Sequence, residues 1–424
     1  MAENLGRLRQ VTAPERMVGP VANRKGQTMK LLARIVLFSG FTSASAMAQW
    51  TAVSLHPAGA TDSYAYGTAG DRQGGYANVG GQFHAGVWSG TAASWVDMHP
   101  LTVTSSRVLG MHSGSQVGYT AIGSAVRAAM WSGSAGSWVD LNPTGVPSSV
   151  AYAVFGAQQV GRIRVGIADH ACVWGSTAAS FTDLHPSNVA NSSYALGIAG
   201  FFIVGYANMI NPVTSHAALW TGTASSFLDL NPTAASGSYC YGVGAGQQVG
   251  YAHIGGQQHA SLWSGTAASW VDLNPSGMTS RAYGVANGQQ VGYTTSAAGT
   301  PHAALWSGTA ESWVDLHAFL PVGYPWSYAQ SIWSDGSFTY VSGYATNASV
   351  NPVHAFLWKK ANTCSVNCDA STVAPVLNVN DFQCFLNSFA AGSSYANCDA
   401  SSVVPILNVN DFQCFLNKFA AGCP

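Results

Sequence analysis

Two runs of oxygen-bearing side chains near the C-terminus have the types and spacing of a cation site. Cys368 to Gly392 reads CDASTVAPVLNVNDFQCFLNSFAAG, and Cys398 to Gly422 reads CDASSVVPILNVNDFQCFLNKFAAG. The first copy opens on alternating donors, Asn367, Asp369 and Ser371, and then supplies Asn378 and Asp381. The second does the same with Asn397, Asp399, Ser401, Asn408 and Asp411. A hard cation such as Ca²⁺ draws its oxygens from alternate loop positions and is closed by a carboxylate at a helix start. After Asp381, the residues Phe382, Phe385, Leu386 and Phe389 recur at helical spacing. Two Ca²⁺ loops, each followed by an amphipathic helix, are therefore expected. The competing reading is a disulfide-stapled helix pair with Asx-turn loops and no metal.

Cysteine placement adds redox chemistry to the same segment. Six of the eight cysteines follow residue 360. Cys368 and Cys384 are 16 residues apart, as are Cys398 and Cys414, so repeat symmetry selects two equivalent local bridges. Cys364 and Cys423 flank the duplication and are expected to clasp its ends. The other two, Cys172 and Cys240, lie a whole repeat apart and are expected to be buried and unpaired.

Before residue 360 the titratable residues are mostly periodic. Asp97, Asp140, Asp183, Asp229, Asp272 and Asp315 recur in a "VDL" run. His84, His170, His216, His259, His302 and His354 precede Ala in another run, with Arg127 in the second copy. A residue present in every repeat serves the repeat. These aspartates should make turn or strand-end hydrogen bonds, and the histidines should bond backbone or a neighbouring strand. Off the pattern stand Asp62, Asp71, Asp169, Asp335 and Glu311, with Arg72, Arg107, Arg162, Arg164 and Arg281. Glycoside cleavage needs two carboxylates at a defined separation, and acyl transfer a nucleophile with a base. The spacing assembles neither, so no catalytic residue is nominated. Tyr- and Trp-rich loops suit binding of sugars or peptides better.

The elements that must position these residues are short strands. Trp88, Trp131, Trp174, Trp220, Trp263, Trp306 and Trp358 recur at intervals of 43, 43, 46, 43, 43 and 52 residues. Residues 281–317 show the unit: RAYGVA, an Asn-Gly turn, QQVGYT, a loop, HAALW, a turn and WVDL. Four short strands in about 43 residues make one propeller blade. The seventh unit stops at Lys359-Lys360 without its fourth strand, while WTAVSLHP (50–57) stands alone before the first unit. An N-terminal strand completing the last blade removes two open edges at once. The expected fold is all-β: a seven-bladed β-propeller closed by an N-terminal strand, with a small α-helical Ca-loop domain at the C-terminus. Six and eight are the competing blade counts.

The recurring AYGVAxGQQVGYA, HAALW and VDL runs, with a literal His354-Ala355-Phe356, resemble the extracellular HAF repeats over about 310 residues. That family implies no agreed biochemical activity. The tail is similar to dockerin domains of the variety that ends in Gly-Cys, as Gly422-Cys423 does. That resemblance implies Ca²⁺ binding and attachment to a cohesin-type receptor on a scaffold or cell surface, often in the company of polysaccharide-degrading enzymes. The chain departs from the dockerin pattern in three ways. Asn367 to Asp381 spans 15 residues, not 12, Asn replaces the first Asp, and the central Gly is absent.

Composition limits the remaining choices. Charged residues are 8% of the 424, against about a quarter in ordinary domains. Beyond residue 49 there are 9 Lys+Arg against 15 Asp+Glu, which is no footprint for nucleic acid. No apolar run there is long enough to span a membrane. Residues 29–48, MKLLARIVLFSGFTSASAMA, have the form of a secretory signal peptide. Residues 1–28 are then an upstream extension, 49–360 the propeller and 361–424 the tail. The expected protein is secreted and monomeric: its propeller presents a surface for a ligand such as carbohydrate, and its tail anchors it to a cohesin-type or cell-surface partner. The alternatives are a polysaccharide-degrading glycoside hydrolase or lyase, and a structural surface or matrix protein.

Overall fold

The computed structural model describes residues 50–295, 299–335, 338–347, 352–362, 366–369, 377–393, 396–398 and 405–421. The signal-like segment and the extension before it lie outside the described residues.

Seven four-stranded antiparallel sheets follow one another along the chain. Blade 1 comprises Ala60–Ala69, Arg72–Val79, Gln82–Trp88 and Val96–Asp97, from innermost to outermost strand. The inner strands of blades 2 to 7 are Ser105–His112, Ser149–Phe155, Ala190–Ala199, Ser238–Gly244, Thr279–Ala286 and Trp326–Ser334. The seventh sheet takes its outermost strand from the other end of the chain. Thr51–Ser54 pairs antiparallel with Val353–Ala361, Thr51 opposite Lys359 and Ser54 opposite Phe356. The count of seven and the N-terminal closure are thus as the repeat phase implies.

Three repeated residue types explain the blade. The repeated Gly of the second strand, preceded by Val in five blades, has no room for a side chain. A Cβ on Gly75, Gly118, Gly205 or Gly250 would stand 1.8–1.9 Å from the carbonyl oxygen of the inner strand. The Trp ending each third strand is almost fully buried between blades. Trp220, for example, packs on Val160, Val173 and Leu184 of the preceding blade. The Gln two residues before that Gly ties two turns together. Gln116 Nε2 donates to the Gly114 carbonyl, and its Oε1 accepts the Gly133 N–H at 2.8 Å. Gln73, Gln248 and Gln290 make the same pair of bonds in their own blades.

After the last blade come helices α1 (Val379–Ala390) and α2 (Val409–Ala421). They pack through a stack of Phe385 on Phe415, ring centroids 4.0 Å apart. Val366 and Ala396, which precede the two copies, are buried in the same small core.

Candidate functional site

The periodic His and Asp residues find each other. His84 Nδ1 meets Asp97 Oδ2 at 2.7 Å, and Asp97 Oδ1 accepts the His99 N–H at 2.8 Å. His99 Nδ1 shares a 2.8 Å hydrogen bond with Ser106 Oγ of the next blade, which accepts the Ala85 N–H at 2.9 Å. The relay therefore crosses from blade 1 to blade 2 and returns. In blade 2, Arg127, Asp140, Asn142 and Ser149 form the same relay. Blades 4 and 5 use His216 and His259 with Asn231 and Asn274. At the closure Ser54 stands where the other blades have Asp. There His56 stacks on His354 at 3.9 Å, and the Tyr324 hydroxyl meets His354 Nδ1 at 2.7 Å. The His–Asp bonds tie the third strand to the fourth within a blade, and the bonds through the Ser of the next inner strand join blade to blade. Burial, and then the neighbouring imidazole, hold His99, His185 and His317 below the ordinary histidine pKa.

Of the off-pattern carboxylates, Asp71 and Asp335 share one neighbour, the Tyr340 phenol, which burial and then these two charges push above its ordinary pKa. Asp62 and Asp71 lie at opposite ends of the first inner strand, Asp71 in its turn, and Asp62 Oδ1 accepts the Val353 N–H. Asp335 closes a turn by accepting the Phe338 N–H at 2.6 Å. Glu311 sits in a short 3-10 helix on the surface. Asp169 is buried and clamped: Arg162 donates at 2.9 Å, Arg164 Nε lies at 3.2 Å, and the Tyr194 hydroxyl donates at 2.7 Å. Among the described residues, none of these acids lines the central cavity or stands opposite another across it.

The ring instead builds an aromatic channel. Each inner strand carries a β-bulge at the axis, at Tyr66, Leu109, Tyr152, Leu196, Tyr241, Tyr283 and Gln330 in turn, and the inner strands of blades 1 and 4 have a second irregularity near their starts. A bulge re-aims the extra side chain out of the ladder. All seven of these residues, with Tyr344, line a cavity of about 380 Å³ on the axis. The small residue that follows lets neighbouring inner strands close in. A Cβ on Gly242 would stand 2.5 Å from the Tyr283 carbonyl oxygen of the next blade.

Towards one end of this channel, two residues before each bulge, the first and second strands of every blade carry a cross-strand pair. They are Tyr64–Tyr76, Arg107–Tyr119, Val150–Arg162, Tyr194–Tyr206, Tyr239–Tyr251, Arg281–Tyr293 and Tyr328–Tyr344. The rings stack within blades, Tyr194 on Tyr206 at 4.6 Å and Tyr239 on Tyr251 at 4.8 Å. They also touch across blades, Tyr206 to Tyr239 at 4.8 Å and Tyr64 to Tyr344 at 5.1 Å. Burial pushes the Tyr194 phenol up to about 12, its bond to Asp169 adding to the effect. Burial likewise takes Tyr251 up to about 12, against the pull of Arg281. These phenols stay protonated at neutral pH, serving as donors and ring faces and not as nucleophiles.

This belt was not picked out from the sequence, although its signal was there. A Tyr follows the repeated Gly in "GY" in six of seven units, Arg162 being the exception. Strand alternation puts that one position on the same face of the sheet in every blade.

In the tail, Cys368–Cys384 and Cys398–Cys414 are bonded, with Cα atoms 5.7 and 5.8 Å apart. Cys364 and Cys423 lie outside the described residues, as do Ser371, Asp399 and Ser401. Asp381 is fully buried at the start of α1. Its Oδ2 accepts the Asn378 N–H at 2.9 Å and its Oδ1 the Asp369 N–H at 3.1 Å, which brings the two ends of the first loop together. Asp411, also fully buried, accepts the Asn408 N–H at 2.8 Å. A carboxylate has about four acceptor sites, so the two bonds of Asp381 leave capacity for a cation. The all-oxygen donor set suits Ca²⁺ and not a thiolate-seeking metal.

No protein-family profile and no curated protein matches the chain. Among solved structures it is similar to a puromycin-hydrolyzing peptidase of Mycobacterium tuberculosis, at 11% identity, 73% of this chain, 56% of that chain and TM-score 0.48. It is similar to the β-propeller domain of the trilobed protease from Pyrococcus furiosus, at 9% identity, 71% and 98% coverage and TM-score 0.47. A third likeness is to a putative TolB from Agrobacterium tumefaciens, at 10% identity, 56% and 83% coverage and TM-score 0.39. The chain covers 56% of the length of the puromycin hydrolases it resembles. These likenesses are remote, and the sheet order by itself defines a seven-bladed β-propeller.

Proposed function

We propose that this is an exported binding protein whose channel mouth takes a carbohydrate and whose C-terminal repeats attach it to a cohesin-type or cell-surface partner. The observation that carries the ligand reading is the belt of stacked tyrosines around a cavity that no described carboxylate lines. Ring faces accept the C–H faces of sugars, and the phenols supply hydrogen bonds beside them. Export is supported by the signal-like segment and by two disulfides, which persist in oxidising compartments. In the tail, Ca²⁺ would be held by Asn367, Asp369, Ser371, Asn378 and Asp381, and by Asn397, Asp399, Ser401, Asn408 and Asp411. Bound there it would stiffen each loop against its helix and so shape the docking face.

A glycan array probed with the full chain, and with Tyr239→Ala, tests the ligand reading. Binding of a defined glycan class that the variant loses supports it. No binding to any glycan by the wild type refutes it. For the tail, thermal melting with and without Ca²⁺ should show a calcium-raised transition, and a calcium-insensitive one removes the metal from the reading.

A further inference from the structure

Resting on the reading of the belt as a carbohydrate site, we infer that its ligand is an acidic saccharide, with carboxylates held by Arg107 and Arg281. The two arginines occupy one position of the repeat, two residues before the bulge in blades 2 and 6. Blades 1, 4, 5 and 7 place Tyr64, Tyr194, Tyr239 and Tyr328 there with the same strand pairing. The blade therefore does not need a cation at this point. Half-burying one against aromatic rings costs free energy that a tyrosine avoids.

Neither cation is neutralised from within. The Arg107 guanidinium carbon lies 4.2 Å from the Phe83 ring centroid, 4.8 Å from Tyr76 and 5.6 Å from Tyr119. Its Nε is buried without a hydrogen-bond partner. Arg281 lies 4.5 Å over Tyr251, and its Nε donates to Gln258 Oε1 at 2.8 Å. Among the described residues no carboxylate forms an ion pair with either. Arg162, on the second strand of blade 3, is the contrast, because Asp169 answers it at 2.9 Å.

The surroundings select the ligand class. The chain beyond residue 49 carries excess negative charge, so the two cations are local features and not part of a basic surface. A guanidinium fork matches a planar carboxylate, and the adjoining rings match a pyranose face. A uronic acid carries both. An extended peptide fits less well, because seven bulges interrupt the inner edges on which it would add as a strand. Arg107 and Arg281 are three blades apart around the ring, which asks for an oligomer and not a single sugar.

Calorimetric titration of the full chain with an oligogalacturonate and with its methyl ester isolates the charge. The acid should bind about tenfold or more tighter than the ester, with affinity falling as salt rises. Arg107→Tyr and Arg281→Tyr, which install the residue other blades use, should melt no lower than wild type yet lose about tenfold in affinity for the acid. Arg107→Gln and Arg281→Gln are the second pair, should a Tyr variant fold poorly. If the ester binds as well as the acid and only Tyr239→Ala abolishes binding, the anionic inference fails and the carbohydrate reading stands. If a peptide with a free C-terminal carboxylate binds and saccharides do not, both fail.

Discussion

Gly250→Ala tests whether the repeated Gly is a steric requirement of the blade. An alanine Cβ would stand 1.8 Å from the Tyr239 carbonyl oxygen and 2.8 Å from Cys240 Cα, where real Cβ contacts stay beyond 3.0 Å. Both obstacles are backbone of the paired strand, so no side-chain rotation relieves the clash. The strands must part by more than 1 Å around the Tyr239–Tyr251 and Cys240–Gly250 pairs. Loss of two ladder hydrogen bonds costs about 2 kcal/mol, and overpacking adds about 1–3 kcal/mol. The reduced freedom of the unfolded chain returns less than about 1 kcal/mol. The net is roughly 3 kcal/mol, which at about 2 °C per kcal/mol lowers the melting temperature by about 6 °C. Gly136→Ala is the control, because its Cβ meets nothing within 4 Å and its φ is not left-handed. Calorimetric or circular-dichroism melting of both variants beside wild type is the assay. A Gly250→Ala protein that melts with the wild type, or a Gly136→Ala protein that falls as far, would refute the reasoning.

Other outcomes follow from the relays, the thiols and the closure. His56, His99, His185, His317 and His354 sit below their ordinary pKa of 6.5 through burial. The unfolded chain therefore takes up protons first, and stability present above pH 6.5 should fall as pH drops below it. Melting between pH 7.5 and 5 measures this, and His99→Asn, His185→Asn and His317→Asn combined, the residue blades 2, 4 and 5 already use, should flatten the fall. Cys172 and Cys240 are buried and unpaired, and burial raises both thiols. A thiol reagent should find neither in the folded protein and two after denaturation without reductant; two disulfide-bonded cysteines there would contradict the structure. Deleting residues 49–57 opens the seventh blade and removes buried Trp50 and Leu55, so the full chain should melt lower and aggregate more readily.

The architecture could be read from the sequence because each blade repeats its own constraints. The Trp spacing set the period, Asn287-Gly288 marked a turn, and the stranded WTAVSLHP segment fixed the closure. The two local disulfides of the tail, Cys368–Cys384 and Cys398–Cys414, followed from its duplication in the same way. The channel mouth was harder. Bulges at Tyr66 or Tyr241 leave no mark in composition, and they decide which residue faces the axis. The periodic His and Asp residues were expected to bond backbone and neighbouring strands, and they do. That the partner of five of the six His is the Asp thirteen residues on depends on strand register, which alternation alone does not give.

The closure also sets an order of events. Thr51 meets Lys359, a separation of 308 residues, so the first strand made is the last to find its place. Synthesis at about 5–20 residues per second leaves it waiting for roughly 15–60 s. In that interval six blades can form from contacts local to each, whereas the ring stays open at Val353–Ala361. The waiting edge ends in Lys359 and Lys360, whose charges discourage another chain from pairing there first. The lysines that mark the end of the repeat thus guard the only seam in the ring until its own N-terminal strand arrives.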